Sequence, residues 1–193
     1  MSATNAPYGI LPVFHPSGLI RPEALQGNLL AAGYGTNLFK GTPLLLATDG
    51  TMAILSGTGV DLYGVFAGVE YQDAGSGRPV ASNKWVANTA YVPGTMTMYV
   101  WADPDIIFEA QADGSVAETA RGDQVNVTNI GAGSTLTGLS QATVSATPVG
   151  AGVQGQFRVH NASPRPGNAW GDAFTVLQLS IARSQYIANK VAV

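Results

Sequence analysis

Apolar and polar residues alternate along several short stretches of the chain, and this alternation predicts β-strands. Near the C-terminal end, Leu177, Leu179 and Ile181 alternate with Gln178 and Ser180. The same period of two recurs over residues 95–100, 125–128 and 156–159. A period of two places every second side chain on one face of a strand, whereas a helix repeats about every 3.6 residues. These stretches are therefore predicted to be half-buried strands, each with one apolar and one polar face.

Two Asp-Gly pairs indicate where the strands turn. The pair at residues 49–50 separates the apolar runs 44–47 and 52–55, and Asp-Gly between apolar runs is a strong signal for a β-hairpin. The pair at residues 113–114 follows the apolar run 106–110 in the same way. We therefore expect a hairpin at each of the two pairs.

Two further segments contain glycine or proline at informative positions. Residues 62–71 are predicted to form a strand in which Gly64 and Gly68 allow a bulge or a close approach of another backbone. Residues 22–26 begin with proline and are followed by Gly27, which predicts a single helical turn. This turn is the best helical candidate in the chain.

Glycine and proline interrupt the sequence so often, with 24 and 11 residues respectively, that few stretches could form a stable helix. The predicted fold is all-β, with ten to twelve short strands in a single-domain β-barrel or jelly-roll-like sandwich. Residues 37–193 are assigned to this domain, and residues 131–138 to a long surface loop. Residues 1–36, which are Pro-rich and almost free of charge, are predicted to form an extended N-terminal arm. We expect no sheet to pair the arm's backbone donors, and the arm either packs along its own domain or reaches a neighbour.

The composition points to a covered surface. The 9 basic and 12 acidic residues make up 11% of the chain, less than half of the roughly 25% found in ordinary soluble domains. Apolar residues make up 46%, which argues against disorder. A net charge of −3 with few, scattered basic residues disfavours nucleic-acid binding as a function. The low charge suggests instead that a partner covers part of the surface.

Several classes of protein are disfavoured by what the sequence lacks. The chain has no cysteine, which excludes disulfides, thiolate metal sites and cysteine nucleophiles. The N-terminus has neither a basic segment nor an apolar core, so we do not expect a secretory signal. The longest apolar run is far shorter than the roughly 20 residues of a transmembrane helix, and we expect no membrane association.

Three motifs that could carry chemistry have simpler structural interpretations. Residues 150–155 match the dinucleotide fingerprint G-x-G-x-x-G, but a predicted strand follows them where the fingerprint requires a helix, which favours a turn. Half of the acidic residues lie within residues 103–123. A solvated acidic edge is the favoured interpretation, and a metal site or a catalytic pair of carboxylates are the alternatives. Glu109 is expected on the strand face opposite Phe108. The tripeptide at 121–123, Arg-Gly-Asp, is interpreted as a turn.

The remaining candidate residues do not form a catalytic arrangement in the sequence. His15 and His160 lack metal-ligand spacing, and His15 is predicted to be packed or hydrogen-bonded. The three tryptophans are expected in the core or an interface. We therefore predict no enzyme activity, no cofactor and no metal. The residues predicted to contact a partner all lie in the N-terminal arm: Tyr8, Ile10, Phe14, His15 and Leu19.

Four segments carry a resemblance to a known family. They are GTPLLL with DGT in residues 41–51, LYGVFAGVEY in 62–71, YVWADPDIIFEAQADG in 99–114 and RPGNAWGDAF in 165–174. In this order they resemble the small structural proteins of tailed bacteriophages that decorate or cement the icosahedral head. The resemblance spans residues 40–182, and its motifs are specific as a series rather than singly.

The resemblance implies a protein without a catalytic centre, located on the outer surface of the capsid. It would assemble as a homotrimer, bridge neighbouring major capsid subunits, and use the turn at 103–105 and the hairpin at 113–114 to define the fold. Interfaces of this kind are depleted in charge, which agrees with the composition. A tail or baseplate structural protein and a carbohydrate- or receptor-binding β-module remain as alternatives.

Overall fold

The computed structural model describes residues 4–186, which contain fifteen short strands and a single 3-10 turn at Glu118–Ala120. The strands are β1 (Leu11–Phe14), β2 (Glu23–Gly27), β3 (Leu38–Phe39), β4 (Pro43–Leu46), β5 (Met52–Ile54), β6 (Gly64–Gln72), β7 (Pro79–Ser82), β8 (Lys84–Trp85), β9 (Met96–Trp101), β10 (Ile107–Gln111), β11 (Gln124–Val125), β12 (Val127–Thr128), β13 (Thr143–Val144), β14 (Phe157–Ala162) and β15 (Val176–Ile181). Within the described residues, no helix is long and apolar enough to cross a membrane.

Two antiparallel sheets dominate the fold. A five-stranded sheet has the order β1-β10-β15-β14-β11, and a six-stranded sheet has the order β2-β9-β6-β4-β5, with β7 also paired to β6. The two-stranded ladders β3-β8 and β12-β13 complete the pairing. The all-β prediction is confirmed, and the arrangement is consistent with a β-sandwich. Because the two sheets do not close on themselves, the predicted barrel is not confirmed, and neither is the jelly roll.

The six-stranded sheet contributes to two apolar clusters. Val65 and Phe66, which are neighbours in β6, belong to different clusters, and so do Val100 and Trp101 in β9. Since successive side chains of a strand point to opposite faces, this end of the sheet packs against an apolar cluster on each side. Phe108 of the five-stranded sheet belongs to the same cluster as Val65. Strands β3 and β8 contribute residues to the other cluster.

Two local predictions are confirmed in detail. The hairpin at residues 49–50 joins β4 to β5, and the Asp49 Oδ1 atom accepts hydrogen bonds from the backbone N–H of Thr51 at 2.9 Å and from its hydroxyl at 2.7 Å. In β6, a Cβ atom on Gly64 would lie 2.6 Å from the carbonyl oxygen of Trp101, so only glycine allows this approach. The register between β6 and β9 shifts next to Gly68, as the predicted bulge requires.

Two other local predictions are wrong. Residues 23–27 form strand β2 rather than a helical turn, because all five residues pair with the otherwise open edge of β9. The pair at 113–114 does not form a hairpin, since β10 pairs with β1 and β15. Instead, the Asp113 carboxylate accepts a hydrogen bond from the Ala146 N–H at 2.7 Å and holds a distant loop. In both cases a partner far along the chain overrides a local preference.

The N-terminal arm is part of both sheets. β1 is an edge strand of the five-stranded sheet, and β2 is an edge strand of the six-stranded sheet. The expectation that no sheet pairs the arm's backbone donors is therefore wrong for these two strands. Pro12 lies in β1, where an edge position accommodates its missing N–H group. The boundary predicted at residue 36 stays a prediction.

Candidate interaction surface

The five residues predicted to contact a partner lie in different environments. Phe14 is 55% exposed and Leu19 is 57% exposed, so both can contact another molecule. Ile10, in contrast, is 0% exposed and belongs to the core cluster of the five-stranded sheet. The prediction for Ile10 is wrong, because its side chain is already enclosed by its own chain. Tyr8 and His15 are half-buried.

His15 connects the N-terminal arm to the loop between β9 and β10. Its Nδ1 atom accepts a hydrogen bond from the Ser17 backbone N–H at 3.0 Å, and its Nε2 atom lies 3.1 Å from Asp103 Oδ2. Since Nδ1 is an acceptor, the proton of the neutral ring is on Nε2, which donates to Asp103. His15 is therefore hydrogen-bonded, as predicted, and it fixes the turn between the exposed residues Phe14 and Leu19.

Residues 4–8 lie against the polar face of β10. The Gln111 side-chain amide is buried and makes two opposite hydrogen bonds with this segment. Its Oε1 accepts from the Ala6 N–H at 3.0 Å, and its Nε2 donates to the Thr4 carbonyl at 2.9 Å. The Gln111 side chain thus hydrogen-bonds to the backbone of this segment as a neighbouring strand would. Because a primary amide has both a donor and an acceptor, it satisfies the segment in both directions.

Glu109, two residues before Gln111, is only 5% exposed, and the prediction that it lies on a solvated edge is wrong. It does lie opposite the core face of β10, but residues 4–8 and the loop between β14 and β15 cover it. Its Oε1 accepts a hydrogen bond from the Ser163 hydroxyl at 2.5 Å, and its Oε2 forms an ion pair with Arg165. The hydrogen bond to Oε1 and the ion pair with Arg165 offset part of the cost of enclosing the carboxylate, although Oε2 has no hydrogen-bond partner among the described residues.

Tyr8 completes this group of side chains. The Arg165 guanidinium lies 4.9 Å from the centroid of the Tyr8 ring, and the buried Tyr8 hydroxyl is beside Glu109. Burial raises the pKa of the Tyr8 phenol to about 12; the positive charge of Arg165 opposes this rise, and Glu109 adds to it. We call Tyr8, Glu109 and Arg165 the closed triad. The predicted interface residue Tyr8 thus serves to attach the segment to its own sheet.

The other sequence motifs are engaged within the chain. Arg121, in the Arg-Gly-Asp tripeptide, pairs with Glu118 at 3.0 Å, and its guanidinium lies 5.8 Å from the Trp170 ring centroid. His160 Nε2 lies 2.8 Å from the Ser180 hydroxyl oxygen on the polar face of the five-stranded sheet. Burial lowers the pKa of the His160 imidazole, with a further contribution from the neighbouring Arg158. Residues 150–155 form a turn, as predicted.

A cleft of about 550 Å³ lies where β2, the start of β6 and the end of the described chain meet. Glu23, Tyr63, Asp103 and Tyr186 are among its lining residues. The Tyr63 hydroxyl donates a hydrogen bond to Glu23 Oε2 at 3.0 Å, and the Tyr63 and Tyr186 rings meet edge to face, with centroids 5.1 Å apart. Burial raises the pKa of Tyr63, and contacts with Tyr186 and Glu23 raise it further, so its hydroxyl remains a donor.

No pattern in the amino-acid sequence predicts this cleft or the closed triad. The closed triad combines residues from three separate parts of the chain and the cleft combines residues from four, and no spacing rule connects them. One signal was present: Glu109 and Gln111 are polar residues two positions apart in a strand, which places them on one face. Among residues 4–186, no group of three or more His, Asp or Glu side chains is arranged to hold a metal ion.

Comparisons with protein families, with curated proteins and with solved structures found no match for this chain.

Proposed function

We propose that this protein is a structural component of a virion that decorates the outer surface of an icosahedral phage head. It cements neighbouring major capsid subunits, acts as a homotrimer and performs no catalysis. The resemblance of residues 40–182 to head decoration proteins motivates the proposal. The low charge of the chain supports it, because protein interfaces are depleted in charged residues.

One structural observation supports a docking role for the part of the N-terminal arm at and after β1. Val13, Phe14 and Leu19 are all large apolar side chains exposed at or just after edge strand β1. Burying exposed apolar side chains of this size against another protein is favourable, so each of the three is available as a contact. On a shell, each contact is repeated many times, so that modest affinities combine into firm attachment.

The location of the protein in the virion tests the proposal. Gold-labelled antibody against this chain is applied to intact phage particles, which are then examined by electron microscopy. We expect label over the head lattice. Label confined to the tail or baseplate would contradict the proposal and favour a tail structural protein.

The docking role of Phe14 and Leu19 can be tested separately by mutation. Removing residues 1–20 is unsuitable, because it would delete β1 and the core residue Ile10. We expect the double substitution F14S/L19S to weaken binding to heads that lack the protein by at least about tenfold, as for residues central to an interface. The control is L136S, which changes an exposed apolar residue in a distant loop. Equal affinity of both variants would exclude this role.

A further inference from the structure

Residues 4–186 contain two groups in which an arginine contacts both an aromatic ring and a carboxylate. In the closed triad, Arg165 pairs with Glu109 and lies over Tyr8. In the second group, Arg121 pairs with Glu118 and lies near the Trp170 ring. This arrangement combines a charge-assisted hydrogen bond with a cation–π contact, and the planar guanidinium suits both.

The cleft between β2 and Tyr186 contains the same two partners without the arginine. Glu23 supplies the carboxylate, and Tyr186, whose side chain is 64% exposed, supplies the ring. Tyr63 connects the two by its hydrogen bond to Glu23 and its edge-to-face contact with Tyr186. Within residues 4–186, Glu23 makes no ion pair.

We propose that this cleft binds an arginine side chain of a partner protein, and, because the inference rests on the proposed function, we assign that arginine to the capsid shell. The guanidinium would pair with Glu23 while its flat face covers the Tyr186 ring. The Tyr63 hydroxyl holds one oxygen of Glu23, so the carboxylate is oriented before the partner arrives. Such preorganisation reduces the entropy lost on binding.

The charges around the cleft favour a cation. Asp103 adds a second carboxylate to the lining, with its Oδ2 atom 3.1 Å from His15 Nε2, and the next acid, Asp105, is exposed. The basic groups close by are Arg183, which is paired with Asp61, and Arg21, which is exposed two residues before Glu23. The lining is therefore net negative, which complements a guanidinium group.

A titration with a small probe tests the cleft independently of any phage particle. N-acetyl-arginine methylamide is added to the full-length protein, and the tyrosine ring signals are followed by NMR. We expect saturable shifts of the Tyr63 and Tyr186 signals at millimolar concentration. N-acetyl-citrulline methylamide has nearly the same shape without the charge, and we expect it to cause no saturable shift. Equal responses to both probes, or no response to either, would overturn the proposal.

Two variants locate the probe site. E23Q keeps an acceptor for the Tyr63 hydroxyl but removes the charge, and we expect it to weaken arginine binding by roughly five- to tenfold. The matched control is E70Q, which removes an exposed charge from β6 outside this cleft. If the two variants bind the arginine probe equally, the proposal is wrong.

Two other occupants are distinguished by the same measurement. Lys190 follows Tyr186 closely in sequence and lies outside the described residues. Tighter binding of the arginine probe to K190A than to the unmodified chain would identify an internal competitor and overturn the assignment to a partner. Methyl glucoside is the probe for a sugar ligand, and saturable shifts at lower concentration than arginine would overturn the proposal in favour of a carbohydrate.

Binding to heads that lack the protein then tests the assignment to the shell. We expect E23Q to bind such heads several-fold more weakly than E70Q does. If the unmodified chain does not bind heads at all, the proposed function fails, while the arginine titration still decides whether the cleft binds a guanidinium. If E23Q and E70Q bind heads equally, the shell is not the source of the arginine, and the assignment is overturned.

Discussion

The closed triad and the cleft at Tyr186 contain similar chemical groups but differ in how complete they are. At Glu109, the chain supplies its own arginine, encloses the carboxylate and uses the group to attach residues 4–8 to the sheet. At Glu23, the carboxylate and the ring face a cleft, and the described chain supplies no cation. The same chemistry therefore stabilises the fold in one region and is open to a partner in the other.

Burial determines what each region contributes. An enclosed carboxylate that loses its cation is left with a large desolvation cost, whereas an exposed carboxylate is screened by water. Substitutions at the closed triad should therefore change the free energy of unfolding, and substitutions at the cleft should change binding with little effect on stability.

The largest expected effect follows from removing the arginine of the closed triad. R165A leaves Glu109 buried without its ion-pair partner, and we expect the free energy of unfolding to fall by about 2–3 kcal/mol, less than for a fully enclosed pair because Arg165 is half-exposed. Urea denaturation followed by tryptophan fluorescence measures the change. The control is R121A, whose ion pair is exposed and should contribute less than about 0.5 kcal/mol. Equal losses in the two variants would refute the distinction.

The strands of this fold were largely predictable, whereas the closed triad was not. β9, β14 and β15 alternate apolar and polar residues, and this local pattern is sufficient because one face of each strand lies on a core. The burial of Glu109 depends on residues 4–8 and on Arg165, which are distant in sequence and arrive only when the sheet forms. The spacing of Glu109 and Gln111 indicates that the two residues share one face of the strand, but it does not indicate which residues will cover that face.

The errors near the N-terminus have a related cause. Ile10 was predicted to be an interface residue because it is apolar and lies in an arm, but apolar character predicts burial without specifying which molecule provides it. Residues 22–26 begin with proline and are followed by Gly27, as a helical turn would be, yet the edge of β9 pairs with all five residues of β2. A single helical turn has too few hydrogen bonds to compete with such a ladder.

The second prediction concerns how residues 4–8 are attached. Q111A removes both hydrogen bonds between the Gln111 amide and the segment, and we expect a loss of about 1–2 kcal/mol in stability. Because the loss is local, hydrogen exchange at the Ala6 amide should become faster by at least about tenfold. Q178A, on the adjacent strand β15, is the control. Unchanged exchange at Ala6 would show that Gln111 does not hold the segment.

The third prediction uses the raised pKa of Tyr8. A phenol whose pKa is raised from 10.0 to about 12 favours the folded state while it is neutral, and this stabilisation is lost as the pH rises from 10 toward 12. We expect the stability difference between the unmodified chain and Y8F to shift by about 1 kcal/mol toward Y8F between pH 9 and pH 11. Urea denaturation at each pH measures the difference, in which the other tyrosines cancel. A pH-independent difference would mean that the Tyr8 hydroxyl is not enclosed.

The smallest expected change in stability is at the cleft. E23Q retains an acceptor for the Tyr63 hydroxyl, and its charge has no cationic partner within the described residues, so the free energy of unfolding should change by less than about 0.5 kcal/mol. In the closed triad, E109Q removes the same charge from a buried ion pair and should cost at least about 2 kcal/mol. Denaturation curves of the two variants, measured side by side, compare the regions directly. A cost for E23Q as large as that for E109Q would show that Glu23 stabilises its own fold, and the cleft would then lose its claim to be a site for a partner.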